Sequence, residues 1–444
     1  MKCITRFLAV LLLLVLCATM AVGCDNASDG ADSTASEGTN PPEVTTEAPV
    51  PTVTVDGTYR IVISAEADEI TQKTADMVAG IVQEIAGFEL AVVTDAETAV
   101  RHEIVLGPTN RAASTAEENA YSVFLNGDSL HIDAQDSITL YFAAEAVLEA
   151  WLTADFGLVA EGVLTLAENR VADLNGLATR REQSLKIMSQ NLRDGNDPDG
   201  NGFAERFERF KLLLAEYQPD IIGTQEHGTN WSIRFEKLFK QLGEGDAIYK
   251  YAMVGESSDG VGRNGGKSSI MYREDRFELI DTNTFWLSET PNIVSTVHGS
   301  GHNRICTWAL LKDKLTGQTI LAANTHLDNS NDRVRTEQIT ILLNLLSEVV
   351  GDYPVYLTGD FNAHVNSGAY EVAAAQMQDA RRTAWVDRST VDGTYHGYST
   401  RWAMEIDFVF CNEKSTPVQF EIISKDYGGF VSDHYGVIAE FVLE

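Results

Sequence analysis

The chain has 444 residues, 44% of them hydrophobic and 22% charged, the composition of an ordinary globular protein with room for two or three domains. Its formal net charge is -32, and no basic stretch interrupts the acidic excess. That argues against a protein that coats nucleic acid through a basic surface, but not against a nuclease, whose bound cations supply local positive charge.

At the N-terminus, Lys2 and Arg6 precede the apolar run 7–17, and small residues follow, as in an export signal. Ala21-Val22-Gly23-Cys24 then resembles a bacterial lipobox, with alanine where leucine is usual. The resemblance implies a signal peptide over 1–24, a lipid on Cys24 that anchors the chain to the membrane, and an extracytoplasmic location. The plainer alternative is a cleaved signal without a lipid. The run is short for a permanent span. Residues 25–54 are rich in Ser, Thr, Ala, Glu and Pro with few large apolar side chains, so they read as a disordered tether. Of five cysteines, Cys306 and Cys411 lie beyond this region; they could pair or stay as buried thiols.

Residues 55–170 read as a small α/β domain. Strands are expected at 60–63, 90–93 and 103–107, a helix at 71–86, a hairpin about Asn126-Gly127 and a closing helix at 141–156. The segment 103–111, Glu-Ile-Val-Leu-Gly-Pro-Thr-Asn-Arg, resembles the noncatalytic N-terminal domain of hexosaminidase-type glycoside hydrolases. It carries no catalytic cluster, so a structural or docking role is expected. Residues 171–184 form a polar linker. From 185 to 444, strands alternate with helices such as 203–217, where Phe203, Phe207, Phe210, Leu214 and Tyr217 make one buried stripe, and 334–350.

Within this last stretch, several apolar runs end in polar tips. The run 185–190 delivers Asn191, which offers a carbonyl to a cation or an amide to phosphate; alone, it would read as a turn residue. The run 220–223 leads to Gln225-Glu226, and Glu226 suits a hard cation such as Mg²⁺. Asn324-Thr325-His326 ends another, placing a titratable imidazole. Thr358-Gly359-Asp360-Phe361-Asn362 offers an Asp to deprotonate water and an amide to stabilise a phosphorane. Asp407 sits on the strand 406–410. In Ser432-Asp433-His434, one residue can bind metal while the other meets phosphate. Gly/Ser-rich 255–267 and the segments holding Trp231, His298 and His302 read as loops, where specificity is set.

Together these motifs resemble the endonuclease/exonuclease/phosphatase superfamily, in family order, over 185–444. Further similarity lies at 270–273, 285–291 and 304–308. The resemblance implies a four-layer α/β/β/α sandwich and a phosphoesterase, expected to be a phosphodiesterase, using Mg²⁺ or Mn²⁺. It implies a metal site of Asn191, Glu226 and Asp433. Asp360 would align water beside Asn362, His434 and His326 would face phosphate, and Asp407 would hold His434 in one tautomer. Arg304 is a candidate substrate contact, with a strand-edge arginine as the bland alternative. The expected partner is a phosphate ester, without a stable nucleic-acid complex. A nonspecific surface nuclease and a catalytically silent binding protein are the alternatives.

Overall fold

The computed structural model describes residues 52–112, 116, 121–152, 157–160, 163–167, 183–243, 245–260, 266–399 and 401–443. The export signal, Cys24, most of the tether, residues 171–182 and Arg263 lie outside the described residues. The chain divides into two compact units, Met1–Leu177 and Ala178–Glu444.

The described part of the first unit runs β1 (Thr52–Val55), β2 (Arg60–Ile63), α1 (Glu69–Ala86), β3 (Ala91–Thr94), β4 (Glu103–Leu106), β5 (Tyr121–Asn126), β6 (Ser129–Ala134), α2 (Ser137–Leu152), β7 (Gly157–Ala160) and β8 (Val163–Ala167). Strand β1 thus begins inside the stretch whose composition reads as tether. A mixed sheet of order β3-β2-β4-β6-β5 shares one core with α1 and α2, through residues such as Ile61, Val78, Val82, Ile104, Ile132, Ala143 and Val147. Asp68 caps α1 by accepting from the Thr71 N–H, and Gly87 closes it in the left-handed conformation. Within the segment 103–111, buried Glu103 gathers the guanidinium groups of Arg60 and Arg111, a structural ion cluster.

The second unit contains β9 (Leu185–Asn191), α3 (Phe203–Tyr217), β10 (Ile221–His227), α4 (Thr229–Gln241), β11 (Tyr251–Val254), β12 (Lys267–Arg273), β13 (Phe277–Trp286), β14 (Ile305–Asp313), β15 (Thr319–His326), α5 (Asp332–Val349), β16 (Val355–Asp360), α6 (Gly368–Ala374), β17 (Gln378–Asp379), α7 (Ala380–Thr383), β18 (Val386–Asp387), β19 (Asp407–Cys411), β20 (Ser415–Ile423) and β21 (Gly436–Leu443). Among the described residues they form two mixed sheets, ordered β11-β12-β10-β9-β21-β20-β18 and β13-β14-β15-β16-β19-β17.

The period-2 alternation of each strand decides the layering. Ile187, Ile221, Ile270, Leu311, Ile320, Tyr356 and Val409 point into the core between the sheets. Their chain neighbours Met188, Ile222 and Met271 point outward, under α3 and α4, where Phe210, Trp231 and Phe235 cover them. Leu321, Leu357, Phe408 and Phe410 point to the other outside, beneath Ile339, Leu342 and Leu346 of α5 and Ala369 and Ala373 of α6. The result is helix, sheet, sheet, helix. Trp231 is therefore not a loop residue: it is fully buried in α4 and stacked on Phe235 at 5.8 Å. Cys306 and Cys411 remain thiols, buried in β14 and β19.

Strand direction then brings the polar tips to one edge. β9 and β10 run parallel, with Asn191 level with Gln225. β15 and β16 run parallel, with His326 level with Asp360. β19 is antiparallel to β16, so its first residue, Asp407, faces Asp360. β21 is antiparallel to β9, so the residues just before it, Asp433 and His434, arrive at the same end.

Candidate active site

Just beneath that edge, side-chain amides tie the two sheets together. Gln225 donates to Asn324 Oδ1 at 2.7 Å and to Ser189 Oγ at 3.1 Å. Asn324 donates to the carbonyls of Thr224 and Ser269, each at 2.9 Å. Gly223 permits this approach, since a Cβ there would meet Thr358 Oγ1 at 1.9 Å. Two strand ends leave the sheets through left-handed residues, Glu226 (φ 51) and Asn362 (φ 48), and Arg193 (φ 58) follows a third. Non-glycine residues adopt this conformation at a cost, which a surrounding structure must hold in place.

At the centre lies Asp360, 1% exposed. Its Oδ2 accepts from Asn191 Nδ2 at 2.9 Å and its Oδ1 from the Asn362 N–H at 2.9 Å. Burial, reinforced by the charge of Asp407, pushes its carboxyl up to about 7. His434 stands beside it: Nδ1 is 2.8 Å from Asp407 Oδ2, and Nε2 is 3.8 Å from Asp360 Oδ2. Burial favours the neutral ring, but Asp407 and Asp360 outweigh it and lift His434 to about 10. Thr394 Oγ1 accepts from the N–H groups of Ile406 and Asp407 at 3.1 and 3.2 Å, fixing where that aspartate begins.

His326, at the end of β15, is different. Burial and then the positive charge of Arg304 hold it well below the usual histidine range, so it stays neutral. Asn362 Nδ2 contacts His326 Nε2 at 2.9 Å and donates to the Leu327 carbonyl at 3.0 Å. Both amide hydrogens of Asn362 are thereby engaged, and Nε2 acts as the acceptor. In this arrangement the Asn362 amide orients His326.

Asn191, Glu226 and Asp433 converge on one side of Asp360. Asn191 turns its amide nitrogen toward Glu226, at 3.3 Å, and its oxygen accepts from the Arg193 N–H at 2.9 Å. The Arg193 guanidinium lies 4.0 Å from Glu226 and 3.7 Å from Asp433, anchored by Asp197 at 3.1 Å. Burial, with the nearby charge of Glu226, raises the Asp433 carboxyl. The Glu226 and Asp433 carboxylates suit a hard divalent cation, and their attraction for Arg193 shows the demand for positive charge, whereas Asn191 presents its amide nitrogen to them and would join as a ligand only with its oxygen turned inward. A second ligand group, Asp360, Asp407 and His434, also brings atoms within 4.8 Å of one another. Its His434–Asp407 hydrogen bond makes it more suited to handling protons than to binding a cation.

Arg304 is nearly buried, with its Nε 3.7 Å from Asp328 and without a hydrogen bond. Asp328 itself is filled: it accepts from Ser300 Oγ and from the N–H groups of Gly301 and His302. Sequence reasoning overlooked Arg193, Arg206 and Thr394. Arg206 is fully buried, donates to the carbonyls of Asn201, Leu192 and Arg193, and lies 5.3 Å over the Trp231 ring. It fixes the loop after Asn191. Its place in the aromatic stripe of α3 was a signal that a charge was being buried for a reason.

A family model, the endonuclease/exonuclease/phosphatase family, matches residues 188–434. The chain belongs to this family. Its members are phosphoester hydrolases, and they commonly use a divalent metal. A structure of an endonuclease/exonuclease/phosphatase from Bacteroides vulgatus is 29% identical, with a TM-score of 0.54, over 59% of this chain and 99% of that one. A mannosyl-6-phosphatase from Bacteroides thetaiotaomicron is 26% identical, with a TM-score of 0.52, over 58% of this chain and 100% of that one. The Protein angel of Drosophila melanogaster is 24% identical over 205 residues, which are 44% of this chain and 55% of that protein. The chain thus spans about half the length of that curated relative.

Proposed function

We propose that the second unit hydrolyses a phosphate ester, attacking phosphorus with water and using Mg²⁺ or Mn²⁺. The observation that carries this reading is the convergence of Asp360 with the Asp407–His434 pair beside Asn191, Glu226 and Asp433. Asp360, held by Asn191 and Asn362, takes the proton of the attacking water. His434 stays cationic under the charges of Asp407 and Asp360, and its Nε2 side meets the phosphate oxygens. Neutral His326, oriented by Asn362, and Arg304 supply further contacts. A divalent cation held by Glu226 and Asp433, joined by Asn191 once its amide oxygen turns toward them, would supply neutralisation of the phosphate and of the departing alkoxide.

The substrate is a small phosphorylated molecule in preference to a polymer. The acidic composition and the mannosyl-6-phosphatase among the similar structures favour that choice. Nuclease and phosphodiesterase activity are alternatives for assay. The export pattern and Cys24 support a membrane-anchored, extracytoplasmic enzyme, with the first unit as a docking or spacer domain akin to the glycoside-hydrolase N-terminal domain.

The test is Mg²⁺-dependent hydrolysis of sugar phosphates, a chromogenic phosphodiester and supercoiled plasmid. Glu226→Ala and His434→Ala should each lower turnover about 10²–10⁴-fold with the fold intact by circular dichroism. Full activity in either variant would overturn the assignment.

A further inference from the structure

One face of the site has no role in the chemistry above. The segment between β18 and β19 folds into a tight loop, closed by Tyr395 N–H to Met404 O at 2.9 Å and Met404 N–H to Tyr395 O at 2.8 Å. Gly393 allows the two limbs to touch; a Cβ there would lie 2.4 Å from the Ala403 carbonyl carbon. The loop is fastened to the segment 433–435, which carries His434 just before β21. The N–H groups of His396 and Gly397 donate to the Asp433 carbonyl at 3.0 and 3.1 Å, and Tyr435 N–H donates to Thr394 O at 2.8 Å. Tyr398 Oη donates to Asp197 at 3.1 Å, the carboxylate that anchors Arg193.

This fastened loop carries an aromatic wall. The Tyr395 ring lies 4.9 Å from the His434 ring, and the Trp402 ring lies 5.7 Å from Tyr395. Trp402 is 51% exposed. A half-open indole on a rigid mount, leading outward from the imidazole that meets phosphate, wants a flat apolar surface to cover it. A nucleobase or the C–H face of a sugar ring would serve. Charge decides between them. Residues 392–406 contain Arg401 as their one cation. The neighbouring Arg381 and Arg382 are already occupied by Asp387, Asp379 and Glu405. Among the described residues of this loop and its neighbours α7 and β18, Arg401 is the one cation not already paired, too few to lead a nucleic-acid backbone past the indole.

We propose that Trp402, mounted on Tyr395, is the platform on which the sugar ring of a phosphorylated carbohydrate lies while its phosphate meets His434. The proposal rests on the phosphoesterase reading and names its substrate class. The C–H face carries the positive edge that the indole π face attracts, and the ring hydroxyls point away to water. Trp402 sets affinity for the ring and leaves the phosphate chemistry alone.

The experiment uses the full chain carrying Asp360→Asn to stop turnover, with Mg²⁺ present, and reads binding by ligand-observed saturation-transfer NMR. Mannose 6-phosphate, glycerol 3-phosphate and a thymidine dinucleotide are titrated. With Trp402 intact, the sugar C–H protons of mannose 6-phosphate should be saturated. Trp402→Ala should weaken its binding roughly tenfold, the effect of losing one stacking contact, and Trp402→Phe should restore most of it. Glycerol 3-phosphate, which has the phosphate but no ring, should change less than about twofold. Failure of mannose 6-phosphate to bind, equal effects on both phosphates, or a response by the dinucleotide alone would each overturn the platform. Absence of hydrolysis by the unmutated chain would instead sink the phosphoesterase reading, and the binding result would stand by itself.

Discussion

Asp360 shows how a single residue can cost stability for chemistry. Its carboxyl titrates near 7 in the folded chain, because burial and Asp407 disfavour its charge, against 3.8 as the ordinary value. A raised folded pKa means the native state binds the proton more tightly than the unfolded state does. The stabilising contribution is therefore complete below about pH 4 and is lost as pH rises through about 7. Asp360→Asn, which keeps an oxygen acceptor and cannot ionise, should gain on the wild type across that window, by about 1–3 kcal/mol at pH 7.5 and little at pH 4. Urea unfolding at the two pH values checks this; an equal difference at both would show that the charge of Asp360 is not the cause. At this scale the sequence was legible where a residue stands at the tip of an apolar run. Asn191, Glu226, His326, Asp360, Asp433 and His434 were found that way, and strand direction brings them together. What could not be read was where each hydrogen goes. The occupied amide of Asn362 and the Arg193 guanidinium between Glu226 and Asp433 depend on turns with left-handed backbone, which no spacing rule reveals.

At the scale of elements, the site depends on how two sheets approach each other. The apolar runs marked the strands and the α3 stripe from Phe203 to Tyr217, while the four layers were expected only from the family resemblance. Trp231 was misplaced because a lone tryptophan among polar residues reads as a loop, whereas its helical neighbours Phe235 and Phe239 put it on the buried face of α4. Polar stitching between sheets is hidden for a different reason. Gln225 and Asn324 are 99 positions apart and look like surface residues until the strands are paired. Asn324→Ala would take one partner each from the Gln225 amide, which keeps Ser189, from the Ser269 carbonyl, which keeps Thr224 Oγ1, and from the Thr224 carbonyl, all in a buried place. Each such group costs about 1–3 kcal/mol, so the unit should lose about 2–4 kcal/mol in denaturant unfolding, with relaxation absorbing part of the sum. A change below about 0.5 kcal/mol would mean that water or neighbouring groups replace the bonds.

For the whole molecule, connectivity matters as much as contacts. β21 pairs with both β9 and β20, in the interior of its sheet, although β9 opens the unit and β21 follows at its far end. Removing residues 436–443 would strip both neighbours of their partner and expose Val437, Ala439 and Phe441 positions of the core. A chain shortened in this way should lose the resistance of its second unit to limited proteolysis; unchanged protection would show that β9 and β20 can close the sheet between themselves. The same connectivity has a consequence for the life of the chain. While the ribosome is still making it, Asn191, Glu226 and Asp360 emerge first, but the strand that locks β9 in place and the histidine that completes the site emerge last. On the proposed phosphoesterase reading, a half-made chain is therefore a disarmed one.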